Sequence, residues 1–238
     1  MNIIITGASK GMGKAIAEKF AANGHNVFLC ARSEVQLYKT MEELLTKYPS
    51  VIIKARPADL SDKVQIGDFA NWAITELDKT PGRKMDVLVN NAGQFIPGSI
   101  YNETEGTLEK MIEVNLYSAY HLTRMLLPGM MEHRNGHIFN MCSIASLNAY
   151  KNGGAYSISK FAMLGFSKNL REEMKDYDIK VTAVMPGAVY TDSWSESGVS
   201  RQRLMESEDI AKLIYAASQL STRAVVEEII IRPQLGDL

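Results

Sequence analysis

Short apolar runs rich in valine and isoleucine alternate with longer amphipathic stretches along nearly the whole chain, the pattern of repeated strand and helix units. Seven strands are expected, centred on Ile3 to Thr6, Asn26 to Cys30, Val51 to Arg56, Val87 to Asn90, His137 to Met141, Lys180 to Met185 and Glu228 to Ile231. Helices fill the gaps. Runs such as Val87-Leu88-Val89 lack the polar alternation of a half-exposed strand. They predict burial on both faces, and so a parallel sheet covered by helices on each side. The fold class expected is α/β: a doubly wound, seven-stranded parallel sheet in one domain spanning residues 1–238. One irregular stretch of size, Ala188 to Ser207, follows the sixth strand, where a substrate lid is expected; the alternative is a plain surface loop.

Composition narrows the classes of function. With 238 residues, 46% of them hydrophobic and 22% charged, the chain can bury one large core. A net charge of -1, with no run of lysines and arginines interleaved with aromatics, argues against nucleic-acid binding. Cys30 and Cys142 both lie in apolar runs, where buried free thiols are expected rather than a disulfide framework. The first apolar run, Ile3-Ile4-Ile5, is too short for a signal segment or a membrane span. A cytoplasmic protein with no membrane partner and no metal is the expectation.

The chemistry starts at Thr6-Gly7-Ala8-Ser9-Lys10-Gly11-Met12-Gly13, which follows the first strand and opens a helix running through Phe20. Glycines there let the backbone approach a pyrophosphate at the positive end of a helix. The spacing departs from the common G-x-G-x-x-G fingerprint. In dinucleotide-binding folds an acid at the end of the second strand bonds the adenosine ribose and repels a 2′-phosphate. Here that strand ends Cys30-Ala31-Arg32: the acid is missing, and Arg32 together with Lys10 offers two cations for such a phosphate. NADP(H) is the cofactor expected; the alternative is a solvated loop arginine, an idle turn lysine and NAD.

Tyr156 and Lys160 stand four residues apart, on one face of a helix, with Ser143 upstream at a strand end. A phenol ionises near pH 10, and an adjacent ammonium stabilises its phenolate. The same pair also describes a solvated helix face. Taken together, the glycine turn, Asn90-Asn91-Ala92-Gly93 after the fourth strand, and Ser143, Tyr156 and Lys160 resemble the short-chain dehydrogenase/reductase family across essentially the whole chain.

That resemblance implies a Rossmann-type NAD(P)-binding domain and reduction of a ketone or aldehyde carbonyl of a small molecule. Tyr156 would act as general acid and Ser143 would hold the carbonyl oxygen. Lys160 would bind the nicotinamide ribose and lower the pKa of Tyr156, and Asn115 would sit at a local helix kink. The cofactor would meet Thr6, Gly7, Ser9, Lys10, Gly11, Met12 and Gly13 in the first turn, and Arg32 after the second strand. It would also meet Asp59 and Leu60 after the third strand, and Asn91, Ala92 and Gly93 after the fourth. Pro186, Gly187, Val189 and Thr191 would complete the nicotinamide end. Ile144, Tyr150, Phe95, Tyr190 and Trp194 are the expected substrate linings, an apolar and aromatic set that suits a compact uncharged carbonyl compound. Trp194 would equally serve to pack its loop. Within the family, the segment from Pro186 to Trp194 and the tail from Val225 to Asp237 look similar to bacterial sepiapterin reductases. The same framework serves 3-oxoacyl carrier reductases and NAD-dependent alcohol dehydrogenases, and a nucleotide-sensing protein without catalysis is the alternative from another class. The family also implies a homodimer or homotetramer, through helices over Thr107 to His133 and Gly154 to Tyr177.

Overall fold

The computed structural model describes residues 1–191 and 198–237. Its strands are β1 (Asn2–Thr6), β2 (Asn26–Ala31), β3 (Ile53–Pro57), β4 (Val87–Asn90), β5 (Gly136–Met141), β6 (Ile179–Pro186) and β7 (Glu228–Ile231). Helices α1 (Gly11–Ala22), α2 (Glu34–Lys47), α3 (Lys63–Leu77), α4 (Thr107–Ile112), α5 (Ser118–His133), α6 (Gly154–Met174) and α7 (Ser207–Ser218) connect them. All strands pair in parallel in the order β3-β2-β1-β4-β5-β6-β7. The expected seven strands are therefore present, and the sheet is of the Rossmann type.

The missing polar alternation has the predicted cause. Ile3 and Ile5 of β1 point into a core shared with Ile16 of α1, Leu37 of α2 and Ile210 of α7. Ile4 points the other way, into a core with Phe69 of α3, Leu122 of α5 and Leu170 of α6. Val87 and Val89 of β4 join the first core and Leu88 the second. Each of these isoleucines is fully buried, worth about 1.5–3 kcal/mol apiece.

The long helix expected from Thr107 to His133 is present, with the irregularity expected at Asn115 inside it. Between α4 and α5 the chain widens into a π-helical turn over Glu113–Tyr117, which contains Asn115. The helix expected to reach Tyr177 ends as α6 at Met174 and tightens into a 3₁₀ turn over Lys175–Tyr177. Cys30 and Cys142 are both buried and free. No helix among the described residues is long and apolar enough to cross a membrane.

His137 of β5 adds a polar group to the interior. Its ring stacks on Phe139 with centroids 3.9 Å apart, and its Nε2 lies 2.7 Å from Thr182 Oγ1. Because Thr182 donates its own hydroxyl to the Val226 carbonyl, the imidazole acts as the donor through Nε2. Its Nδ1 has no hydrogen-bond partner, and burial lowers the pKa from 6.5 to about 3. The fold thus favours the neutral ring. This contribution is complete above pH 6.5 and is lost progressively as the pH falls toward 3. At about two pH units below 6.5 the loss is about 2–3 kcal/mol. His137→Gln is expected to flatten the acid limb of a melting-temperature profile taken between about pH 7 and pH 4.5. An unchanged limb would remove His137 as its cause.

Candidate active site

The strand order reverses between β1 and β4, and the turns after these two strands open a crevice at the carboxyl ends of the sheet. Thr6, the last residue of β1, ties the two turns together. Its Oγ1 accepts from the backbone N–H groups of Asn91 and Ala92, each at 2.9 Å. Asn91 returns the contact through Nδ2, which donates to the carbonyls of Thr6 at 2.9 Å and Gly7 at 3.1 Å. Asn90 works one layer below, bonding Thr123 and Asn140. Of the two asparagines, Asn91 bonds the backbone of the turn, while Asn90 bonds only side chains beneath it.

The glycine turn is bare backbone of necessity. Gly7 has φ +63°, and a Cβ on it would stand 3.0 Å from Ala92 Cα. At Gly13 a Cβ would lie 2.2 Å from the Gly7 carbonyl oxygen, so α1 could not approach β1 as it does. No acidic residue stands in the first turn of α1 and no side chain caps it, so its amides suit an anion. Lys10 and Arg32 are both exposed beside this end. These features fit the phosphates of a nicotinamide dinucleotide. Ser9 contributes its carbonyl to Thr40 and Gln36, binding α2 to the turn. Asp59 accepts from the Ser61 backbone N–H at 3.0 Å and its hydroxyl at 2.8 Å, so its carboxylate closes its own turn, while Leu60 is buried in the second core.

From the turn the crevice deepens into a cleft of about 480 Å³. Of the residues expected to meet the cofactor, Met12, Asn91, Gly93, Pro186, Gly187, Val189 and Thr191 line it, and of those expected to meet a substrate, Phe95, Ile144 and Tyr150 do. Ser143, Tyr156 and Lys160 line it together. Ser143 caps the short 3₁₀ turn after β5, its Oγ accepting from Ala145 N at 3.1 Å. Tyr156 stands in the first turn of α6, with Phe95 edge-on to its ring at 4.9 Å. Lys160 lies one turn further on. It is buried, with Nζ 5.7 Å from the Tyr156 ring centroid and donating to the Met141 carbonyl at 2.8 Å.

The electrostatics correct one expectation. Burial pushes the Tyr156 phenol above its ordinary value, with a hydrogen bond to Ser143 pulling the other way. Burial also brings Lys160 down to about 8. The lowering of Tyr156 expected from Lys160 does not appear: Lys160 is not among the groups acting on the phenol, and the loss of water around it outweighs the bond from Ser143.

Asn115 is fixed by the π turn. Its Oδ1 accepts from Gln94 N at 2.7 Å, and its Nδ2 donates to the Gln94 carbonyl at 3.0 Å and to Ser159 Oγ at 2.9 Å. The widened turn thus links the loop after β4 to the helix that carries Tyr156 and Lys160.

Two substrate expectations change. Tyr190 is not among the residues lining the cleft; Arg201 covers its ring at 4.6 Å. Trp194 lies outside the described residues, as does part of the expected lid. Of the rest, Val189 bridges to Met205, which anchors the segment to the body. The structure adds Asn148 and Ala149, and from the tail Arg232 and Asp237, which pair with each other at the cleft wall. A turn closed by Gly236 N to the Pro233 carbonyl at 2.9 Å brings Asp237 back over Gly187. The signal in the sequence was the glycine-bearing turn between opposite charges.

Known proteins share both sequence and fold. Residues 1–202 match the short chain dehydrogenase family. A sepiapterin reductase of Chlorobaculum tepidum is 34% identical over 99% of this chain and 97% of its own length. An alcohol dehydrogenase of the archaeon Thermococcus sibiricus, solved with 5-hydroxy-NADP, superposes with a TM-score of 0.88 at 26% identity, covering 98% of this chain and 96% of that one. The L-sorbose reductase of Gluconobacter frateurii, solved with NADPH and L-sorbose, gives 0.85 at 25% identity over 97% and 94%. With the match extending over most of its length, on a sheet of this topology, the chain belongs to the short chain dehydrogenase family.

Proposed function

We propose that the protein is an NADPH-dependent reductase of a ketone or aldehyde on a small molecule. The observation that carries this reading is the convergence of Ser143, Tyr156 and Lys160 on one cleft continuous with the glycine turn. Arg32 and Lys10 would hold the 2′-phosphate, the turn from Gly7 to Gly13 the pyrophosphate, and Lys160, Gly187 and Thr191 the nicotinamide end. When bound, the cofactor supplies a hydride to the carbonyl carbon. The Ser143 hydroxyl then donates a hydrogen bond to the carbonyl oxygen, and Tyr156 passes its proton to that oxygen as negative charge builds there. Burial suits this role, because it keeps Tyr156 in the protonated form across neutral pH. Lys160, held by the Met141 carbonyl, places a donor beside the ring.

Similarity to a sepiapterin reductase favours a ketone on a pterin side chain as the first substrate to try. A homodimer or homotetramer is part of the same reading, since α4, α5 and α6 expose Leu108, Tyr120, Met125, Ile158 and Phe161.

The test is a titration of the purified protein with NADPH and NADH at fixed salt, followed by nicotinamide fluorescence. NADPH is expected to bind more tightly, and Arg32→Ala to cost it about 10–100-fold while leaving NADH unchanged. Equal binding of both by the unmodified protein would favour NAD-dependent oxidation of an alcohol instead. Turnover is then screened on pterin side-chain ketones and small diketones.

A further inference from the structure

The helix that bears Tyr156 begins in an unusual way. The N–H groups in the first turn of a helix need acceptors from outside it. At α6 the residue in the capping position is Gly153, which has no side chain to offer. The acceptor comes instead from Glu103, 52 residues upstream, whose Oε2 receives the Ala155 N–H at 3.2 Å.

The surroundings are built for this approach. A Cβ on Gly154 would lie 2.7 Å from Glu103 Oε2 and 2.7 Å from the Gly98 carbonyl, so only glycine admits the carboxylate there. The loop carrying Glu103 is fastened to the same helix end at two further points. Gly98 bridges to Gly153 and donates to the Asn152 carbonyl at 3.1 Å, and Ser99 Oγ donates to Asn152 Oδ1 at 2.9 Å. Phe95, from the same loop, presses edge-on against Tyr156. One loop therefore holds both the ring and the helix turn from which it projects.

We propose that Glu103 is a positioning residue for Tyr156, holding the first turn of α6 in place and, through its charge, setting the pH at which the phenol exchanges its proton. This rests on Tyr156 as the proton donor of the proposed reaction. The positive end of a helix favours an anion nearby, whether the Glu103 carboxylate or the phenolate of Tyr156. With Glu103 in place the positive helix end is already compensated, so it favours the phenolate less. Removing the carboxylate makes ionisation easier. The other groups facing Tyr156 are Lys160 on its own helix, Cys142 at the end of β5 and Tyr150 in the preceding loop, with Arg232 and Asp237 on the tail side of the cleft. None of these changes when Glu103 is replaced.

Glu103→Gln keeps an acceptor for Ala155 and removes the charge; Glu103→Ala removes both. Ionisation of Tyr156 is read in the ligand-free protein as the ultraviolet difference between each protein and the same protein carrying Tyr156→Phe, which isolates one phenol among 10 tyrosines. The pH profile of kcat, NADPH affinity and melting temperature are measured alongside. Glu103→Gln is expected to keep plateau kcat within about two-fold and to move both the phenol titration and the kcat profile to lower pH by about half a unit. Glu103→Ala is expected to show the same displacement, with plateau kcat down about five- to ten-fold and NADPH affinity unchanged. If both variants only melt earlier, with titration and profile unmoved, Glu103 is a structural cap and the proposal falls. Should Glu103→Ala fail to fold, the displacement in Glu103→Gln decides. If the unmodified protein reduces no carbonyl compound, the proposed reaction is wrong, while the phenol titration still tests the coupling to Glu103.

Discussion

Tyr156→Phe is expected to lower kcat by about 10²–10⁴-fold, the range associated with a positioned general acid, while NADPH affinity stays within about two-fold. The two effects separate because the substitution removes one oxygen and leaves the ring. Phe95 retains its edge contact, and Lys160 keeps its hydrogen bond to the Met141 carbonyl, so the cofactor side of the cleft is preserved. What is lost is the proton for the developing alkoxide and the partner of Ser143. Turnover and binding measured on the same preparation give the result directly. Unchanged turnover would sink Tyr156 as the acid and direct attention to a solvent proton. Unchanged NADPH binding with no turnover in the parent protein would instead favour a nucleotide sensor.

Gly13→Ala should be the most damaging single-methyl change in the chain. The new Cβ would lie 2.2 Å from the Gly7 carbonyl oxygen and 2.6 Å from Asn91 Nδ2. One of these is backbone, and the other already bonds the carbonyls of Thr6 and Gly7, so neither can move without opening the turn. Overpacking of this kind costs about 1–3 kcal/mol, which for a chain of this size corresponds to a fall in melting temperature of about 2–12 °C. NADPH binding should be lost to a greater degree than stability, since α1 would be displaced from the phosphate turn. Gly129→Ala in α5 is the control: a Cβ there meets nothing within 4 Å, and the higher helix propensity of alanine should stabilise the protein by about 0.5–1 kcal/mol. A Gly13→Ala protein with parental melting temperature and NADPH affinity would show that the turn yields more easily than its contacts imply.

Much of this site was legible in the order of residues because its parts are local. The glycines of the first turn are demanded by neighbouring backbone, as Gly7 and Gly13 demonstrate. Tyr156 and Lys160 share a helix face by spacing alone, and Ile3, Ile4 and Ile5 announce a strand covered on both sides. Other features had no local mark. A π turn at Asn115 has no propensity of its own; it is maintained by bonds to Gln94 and Ser159, 21 and 44 residues away. Tyr190 follows a strand end at a point where a substrate contact was expected, yet Arg201 draws its ring elsewhere.

By itself the sequence determined the parallel sheet, the bare phosphate turn and the types of residue at the reacting end, since each depends on steric or apolar demands within a few residues. Tertiary structure alone decided how those residues behave. It placed the tail pair Arg232 and Asp237 in the cleft wall and brought Glu103 to the helix of Tyr156. It also reversed the expected ionisation of Tyr156, because the solvation of a phenol depends on everything packed around it, and that environment is assembled from strand ends far apart in the chain.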